Sequence, residues 1–200
     1  MHEHYFSEDP RNPPRKGIIK TKIRGLDFEF ITSSGIFSHK RIDTGTRILI
    51  EAMELPSIGK LLDMGCGYGP IGIVASKVNP ILEVWMTDIN RRATRLAYEN
   101  VRRNNVKASV VQGVFYEALE DLKFDTIITN PPISAGIKKA VVPIIEGAFN
   151  HLKWGGSLQT VIQWNKGGRI METQLKRVFN NKSIIDRESG YRVFKATKTH

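Results

Sequence analysis

Two hundred residues, 40% of them apolar, are enough for one α/β domain with a sizeable core. No apolar run approaches the ~18 residues of a membrane span, and the opening Met1–Asp9 is too polar and acidic for a secretory signal. Cys66 is the only cysteine, so no internal disulfide can form, and the expected compartment is cytoplasmic. The five histidines have no metal-ligand spacing with it, so no metal is expected. Thirty Lys and Arg against twenty Asp and Glu leave a net charge of +10, unevenly placed. Six cations and no acid lie between Arg11 and Arg24, and twelve cations face four acids from Gly136 to His200. Such patches attract phosphate backbones, which makes nucleic acid the expected partner and a merely solvated basic surface the alternative.

In chain order, Pro10, Pro13 and Pro14 break any regular element, so residues 1–24 read as an extended basic arm. Leu26–Thr32 alternates apolar and polar, the mark of a half-buried strand. Ser33–Ser38 reads as a turn that presents Phe37. Asp43 or Thr44 can cap a helix running to about Leu55, with Ile48, Leu49, Ala52 and Met53 inward. Residues 1–55 are thus expected to be an N-terminal extension packed on a core of residues 56–200.

That core opens on Lys60–Met64, a buried strand, followed by glycines at 65, 67, 69 and 72 and an apolar helix from Ile71. Glu83–Thr87 is a second strand ending at Asp88, and Asn90 can cap a helix to about Asn104. Ala93, Leu96, Ala97 and Val101 lie inside that helix, with its arginines mostly outside. Ser109–Gln112 and Phe124–Thr129 are further strands, and a helix over roughly 140–152 is stopped by Trp154-Gly155-Gly156. Ser157–Gln163, a basic helix near 169–179, and strands at 183–187 and 191–196 joined through Ser189-Gly190 complete the chain. Alternating strands and helices predict a Rossmann-like, doubly wound α/β fold: a seven-stranded, mainly parallel sheet with a C-terminal antiparallel hairpin.

A strand–Gly loop–helix unit suits a nucleoside cofactor, but a lone Gly-rich loop does not say which. Here the spacing departs from Gly-x-Gly-x-x-Gly, and Asp63 stands just ahead of the loop, where its charge would repel a pyrophosphate and welcome an ammonium. Asp88, at the end of the next strand, is placed to accept bonds from ribose hydroxyls. Together they describe S-adenosylmethionine (SAM), the bland alternative being that both acids only cap turns. Cys66 reads as a small loop residue rather than a nucleophile. After the fourth strand comes Asn130-Pro131-Pro132-Ile133. The prolines fix φ and remove donors, so the Asn130 side-chain oxygen and the Pro131 carbonyl remain as acceptors for both hydrogens of a planar amine. The alternative is an ordinary turn after a strand.

The Asp63-x-Gly65-Cys66-Gly67-Tyr68-Gly69 loop, Asp88 and the Asn130 tetrad resemble the class I SAM-dependent methyltransferases that act on amino groups. With His4–Ser7, Ser34–Ser38, Asp43-x-Gly45-Thr46, Asp88-Ile89-Asn90-x-x-Ala93, Val161–Gln163 with Lys166-Gly167, and Gly190-Tyr191-x-Val193, the chain resembles the small-subunit rRNA guanine-N2 methyltransferases and their short archaeal relatives nearly throughout. The resemblance implies that Asp63 and Gly65 to Gly69 line the methionine end of SAM, that Asp88 with Ile89 holds its ribose, and that Asn130 with Pro131 holds the target amine. It places Phe37 over the cofactor.

Two departures stand out. Gln112-Gly113-Val114 offers no acid for the adenine amine, and Ile133 cannot stack on a base as an aromatic would, which leaves Phe37, Tyr116 or Trp164 as the platform. Arg15, Lys16, Lys20, Lys22 and Arg24, with Trp164 and Lys166, are the expected RNA contacts. The leading expectation is a SAM-dependent RNA guanine methyltransferase. A tRNA base, a protein glutamine and loss of catalysis in an RNA-binding module are the alternatives.

Overall fold

A computed structural model describes residues 16–34 and 41–200. Its main sheet has seven strands in the order β5-β4-β3-β6-β7-β9-β8. β3 (Lys60–Met64), β4 (Glu83–Asp88), β5 (Ser109–Gln112), β6 (Phe124–Thr129) and β7 (Leu152–Gln163) are parallel, while β9 (Tyr191–Thr197) runs antiparallel between β7 and β8 (Ser183–Glu188). This is the expected doubly wound architecture with its terminal hairpin. Parallel strands are covered on both faces, and β3 accordingly alternates between two cores. Leu61 packs in the cluster that holds Ile48, Leu49, Val74 and Leu96, from α1 (Thr44–Ala52), α2 (Pro70–Val78) and α3 (Arg91–Arg103). Leu62 packs in the other, with Ile144, Ala148, Met171 and Phe179 of α4 (Val142–His151) and α5 (Gly168–Phe179). The chain leaves β3 toward β4 and β5 on one side and returns to β6 and β7 on the other. The carboxyl ends of β3 and β6 therefore flank the switch point where open α/β sheets bind ligands. Among the described residues no helix is long and apolar enough to cross a membrane.

Three expectations are corrected. The extended arm does not continue to residue 24: β1 (Lys16–Ile23) pairs antiparallel with β2 (Leu26–Ser33) along its whole length. Ile19 and Ile23 alternate inward between exposed lysines, and Arg24 and Gly25, both at positive φ (48° and 78°), make the two-residue turn. The prolines taken as breakers all precede this strand. The first helix ends at Ala52 rather than near Leu55, because Met53 is extended (ψ 135°) and Pro56 disfavours a helical residue before it. Trp154-Gly155-Gly156 does not stop a helix. α4 ends at His151 after a π-helical turn at Ile137–Val141, and β7 already pairs at Leu152. The register slips between Leu152 and Ser157, so Trp154-Gly155-Gly156 lies in a bulge, with Gly155 at φ +74° and Trp154 exposed.

The hairpin is tied to α3 by two amides four residues apart, Asn100 within the helix and Asn104 as its C-cap. Asn100 accepts from Ile31 N (2.6 Å) and donates to Ile31 O and Tyr68 O (both 2.9 Å). Asn104 likewise accepts from Glu29 N (3.1 Å) and donates to Glu29 O (2.9 Å). Two helical carboxamides thus satisfy the edge groups of β2 as a neighbouring strand would.

Candidate active site

The loop after β3 is folded round the end of β4. Gly65 N and Cys66 N both donate to Thr87 O at 2.9 Å, and Gly67 N donates to Asp88 Oδ2 at 2.9 Å. Gly65, Gly67 and Gly69 take positive φ (72°, 57° and 94°), which favours glycine, and Pro70 then opens α2. At Gly72 a Cβ would run into Met86, so α2 lies close on β4 and Gly72 N reaches Asp63 Oδ2 at 2.8 Å. The other oxygen, Asp63 Oδ1, is buried with no hydrogen-bond partner among the described residues. Burial pushes the Asp63 carboxyl up to about 7; the Gly72 amide opposes this and the nearby Asp88 adds to it. Asp88 is also raised by burial, against the opposing amides of Asn90 and Gly67. Burial and the two carboxylates push the Cys66 thiol well above its usual range, which suits a packed loop residue and not a nucleophile.

At the end of β6, Thr129 Oγ1 donates to Met64 O at 2.9 Å, holding β6 and β3 together where they open. Asn130 follows. Its Nδ2 donates to Asp43 Oδ2 (3.0 Å) and to Thr46 Oγ1 (2.9 Å), while no described residue donates to its oxygen or to the Pro131 carbonyl. A cleft of about 500 Å³ runs from this point to the loop. Gly65, Gly67, Tyr68, Asp88 and Asn90 wall one end; Asp43, Thr46, Asn130 to Ser134, Gln163, Lys166 and Tyr191 wall the other. A narrower, mostly apolar slot continues past Asp88 between Ile89, Gly113, Val114 and Phe115.

The structure therefore brings Gly65, Cys66, Gly67, Tyr68, Asp88, Asn130, Pro131, Pro132, Ile133 and Lys166 to one cleft, with Ile89 in its extension. Asp63 and Gly69 do not line the cleft: Asp63 is fully buried at the end of β3, and Gly69 faces Ile73, Met86 and Ala97. Tyr116 is not a platform: it is buried under α4, donates to Ile144 O at 2.9 Å and stacks on His151. Trp164 faces a neighbouring groove, its ring covered by the Arg192 guanidinium 3.2 Å from the centroid. Lys16 pairs with Glu99 of α3 (3.0 Å) and Lys20 with Glu29 of β2 (3.5 Å), and Lys16, Lys20, Lys22 and Arg24 line no part of the cleft. Phe37 and Arg15 lie outside the described residues.

Sequence reasoning gave Asp43 and Thr46 no part in the site beyond helix capping and resemblance, and gave Tyr191 and Gln163 none beyond resemblance. Among the described residues, Tyr191 is the aromatic that lines the cleft at its Asn130 end. It sits against α1 where Gly45 has no Cβ; one would come within 2.9 Å of the Tyr191 ring. The signals available were the Asp43-x-Gly45-Thr46 and Gly190-Tyr191 matches.

A mainly parallel sheet with a glycine loop, a strand-end acid and an Asn-Pro-Pro turn at the switch point is the arrangement of the SAM-dependent methyltransferases. The unpartnered Asp63 Oδ1 and the glycine-lined wall before Asp88 fit an ammonium-bearing nucleoside cofactor. The Methyltransferase small domain family matches residues 27–195, and the chain belongs to it. It is 38% identical to YbxB of Bacillus subtilis (strain 168), itself uncharacterized, over 99% of this chain and all of that one. It is 34% identical over 84% of its length to the ribosomal RNA small subunit methyltransferase C of Photorhabdus laumondii, but covers 49% of that protein. The Thermus thermophilus 16S rRNA N2 G1207 methyltransferase, solved with AdoMet and guanosine, shares the fold, with a TM-score of 0.78 at 22% identity over 94% of this chain and 52% of that one. The chain thus spans about half the length of these rRNA methyltransferases.

Proposed function

We propose that this chain transfers a methyl group from SAM to the exocyclic N2 amine of a guanine in small-subunit ribosomal RNA. The observation that carries the reading is Asn130, whose NH2 is engaged from behind and whose oxygen is left, with the Pro131 carbonyl, as an acceptor beside the cleft. Those two oxygens would accept the two hydrogens of a planar amine, aim its nitrogen, and stabilise the positive charge that grows there. When bound, SAM supplies an electrophilic methyl: the N–C bond forms as the S–C bond breaks, and sulfur keeps the electron pair. The methylated nitrogen is then acidic enough to release its proton to water, so no general base is required. Asp88 would take the ribose hydroxyls, the loop from Gly65 to Gly69 the methionine end, and the slot at Ile89, Val114 and Phe115 the adenine. Asp63 would face the ammonium from beneath the loop.

On the acceptor side, Tyr191 has the place to stack on a base, a role Ile133 cannot fill. The base must leave its stack to reach the cleft. Lys166 at the rim, and Trp164 with Arg192 and Arg187 along the adjoining groove, would hold the phosphates and bases around it. The relatives' names supply the ribosomal target.

Radiolabelled SAM incubated separately with rRNA, small subunits, tRNA and a protein extract, followed by nucleoside digestion, tests the reading. Label in N2-methylguanosine from ribosomal material is expected. Label only in tRNA would move the substrate, and label only in protein glutamine would overturn the RNA assignment.

A further inference from the structure

Asn130 is the group on which the proposed chemistry turns, and a primary amide is two-faced. Rotated half a turn, it would offer hydrogens where it now offers oxygen. Two residues at the start of α1 remove that ambiguity. Asn130 Nδ2 donates to Asp43 Oδ2 at 3.0 Å and to Thr46 Oγ1 at 2.9 Å. A carboxylate has no proton to give, so only the NH2 end can face Asp43. Asp43 is itself held: as N-cap of α1 it accepts from Thr46 N at 3.1 Å through the same Oδ2. The three groups form a closed triangle between residues 84 and 87 positions apart in the chain.

We propose that Asp43, with Thr46, is the positioning pair of the acceptor site. It locks the Asn130 carboxamide with its oxygen toward the cleft and strengthens that oxygen as an acceptor. The inference rests on the amine-acceptor reading above. Orientation comes first: a dipole already aimed needs no reorganisation while charge builds on the amine. Polarisation adds to it, since bonds in a chain polarise one another and an anion behind the NH2 draws positive charge toward it, leaving the oxygen more negative. The ring of Tyr191 packs over Gly45 next to Asp43, so the carboxylate is only half exposed and is less screened than a surface acid. Helix capping alone does not account for the arrangement, because an N-cap acid needs no bond to a residue on the opposite strand end.

The test uses Asp43→Asn, which keeps an oxygen for the cap but removes the charge and adds a donor, and Thr46→Val, which removes the hydroxyl at nearly constant volume. In the wild type the Asn130 side-chain NH2 is expected to exchange slowly with solvent by 15N NMR, and faster in both variants. With small-subunit RNA, kcat is expected to fall about tenfold for Asp43→Asn, the weight of one charge-assisted hydrogen bond, and a few-fold for Thr46→Val. SAM Kd, acceptor KM and Tm should stay near wild type, which a purely structural role would not predict. Unchanged NH2 exchange, or an unchanged kcat in both variants, overturns the proposal. If the wild type labels no RNA, the functional reading falls, and the amide exchange still decides the lock.

Discussion

The two ends of the cleft are built in different ways. The end proposed for the cofactor is built by the loop after β3 and by Asp88, over Asp63 and Gly72, and its bonds run from backbone amides to carboxylates: Gly67 and Asn90 to Asp88, and Gly72 to Asp63. The end proposed for the acceptor comes from Asp43, Thr46, Asn130, Gln163 and Tyr191, scattered over most of the chain, and Asn130 is bonded there side chain to side chain. A backbone-built wall is specified by φ angles and by the close approach that glycine permits. A side-chain-built wall depends on several elements arriving together. Damage to the first should therefore appear in SAM binding, and damage to the second in rate.

The largest effect tests the acceptor end. Asn130→Ala is expected to lower kcat about 10²- to 10³-fold, as loss of one preorganised transition-state partner does, with SAM affinity nearly intact. Wild-type turnover would remove it from the mechanism. Next comes the cofactor end: Asp88→Ala should weaken SAM about 10- to 100-fold by calorimetry, the weight of one or two charge-assisted bonds. An unchanged Kd refutes the ribose assignment.

The third prediction turns on Asp63, raised from an ordinary 3.8 to about 7. A raised carboxyl binds a proton in the folded state that the unfolded chain has shed. Its contribution to ligand-free stability is therefore full below the ordinary value and lost as pH rises through about 7. A cationic ligand needs the ionised form, so SAM affinity should drop about tenfold from pH 8 to pH 6 with protons released on binding. Asp63→Asn should flatten that profile; a flat wild-type profile would separate Asp63 from the ammonium. The smallest effect returns to the acceptor end, where Tyr191→Ala should raise acceptor KM about five- to tenfold through lost stacking while Tyr191→Phe stays near wild type. Equal loss in both variants would assign the role to the hydroxyl instead.

The difference between the two ends is also a difference in what could be read beforehand. The loop, Asp88, the Asn90 cap and the buried face of α3 were legible because each depends on neighbours a few residues away. The cap bonds are local, from Arg92 N at 2.9 Å and Ala93 N at 3.3 Å to Asn90 Oδ1. Tyr116 stood among the platform candidates because nothing near it in sequence announces α4, whose Gly147 has no Cβ to collide with its ring. The first strand was hidden by its lysines, which hold the outer positions of an ordinary alternation. The bulge at Trp154-Gly155-Gly156 imitated a helix stop because glycine serves both.

By itself the sequence determined the class: a parallel α/β sheet, a glycine loop between two acids, and an Asn-Pro-Pro turn, all set by periodicity, φ preference and charge. Tertiary structure alone decided which side chains meet. It placed Asp43 and Thr46 behind Asn130, put Tyr191 rather than Tyr116 or Trp164 on the cleft wall, and gave one oxygen of Asp63 no partner among the described residues. Such meetings join positions 84 and 87 residues apart. They follow from close packing of whole elements and from the demand that buried polar groups find partners, and no local pattern carries that information.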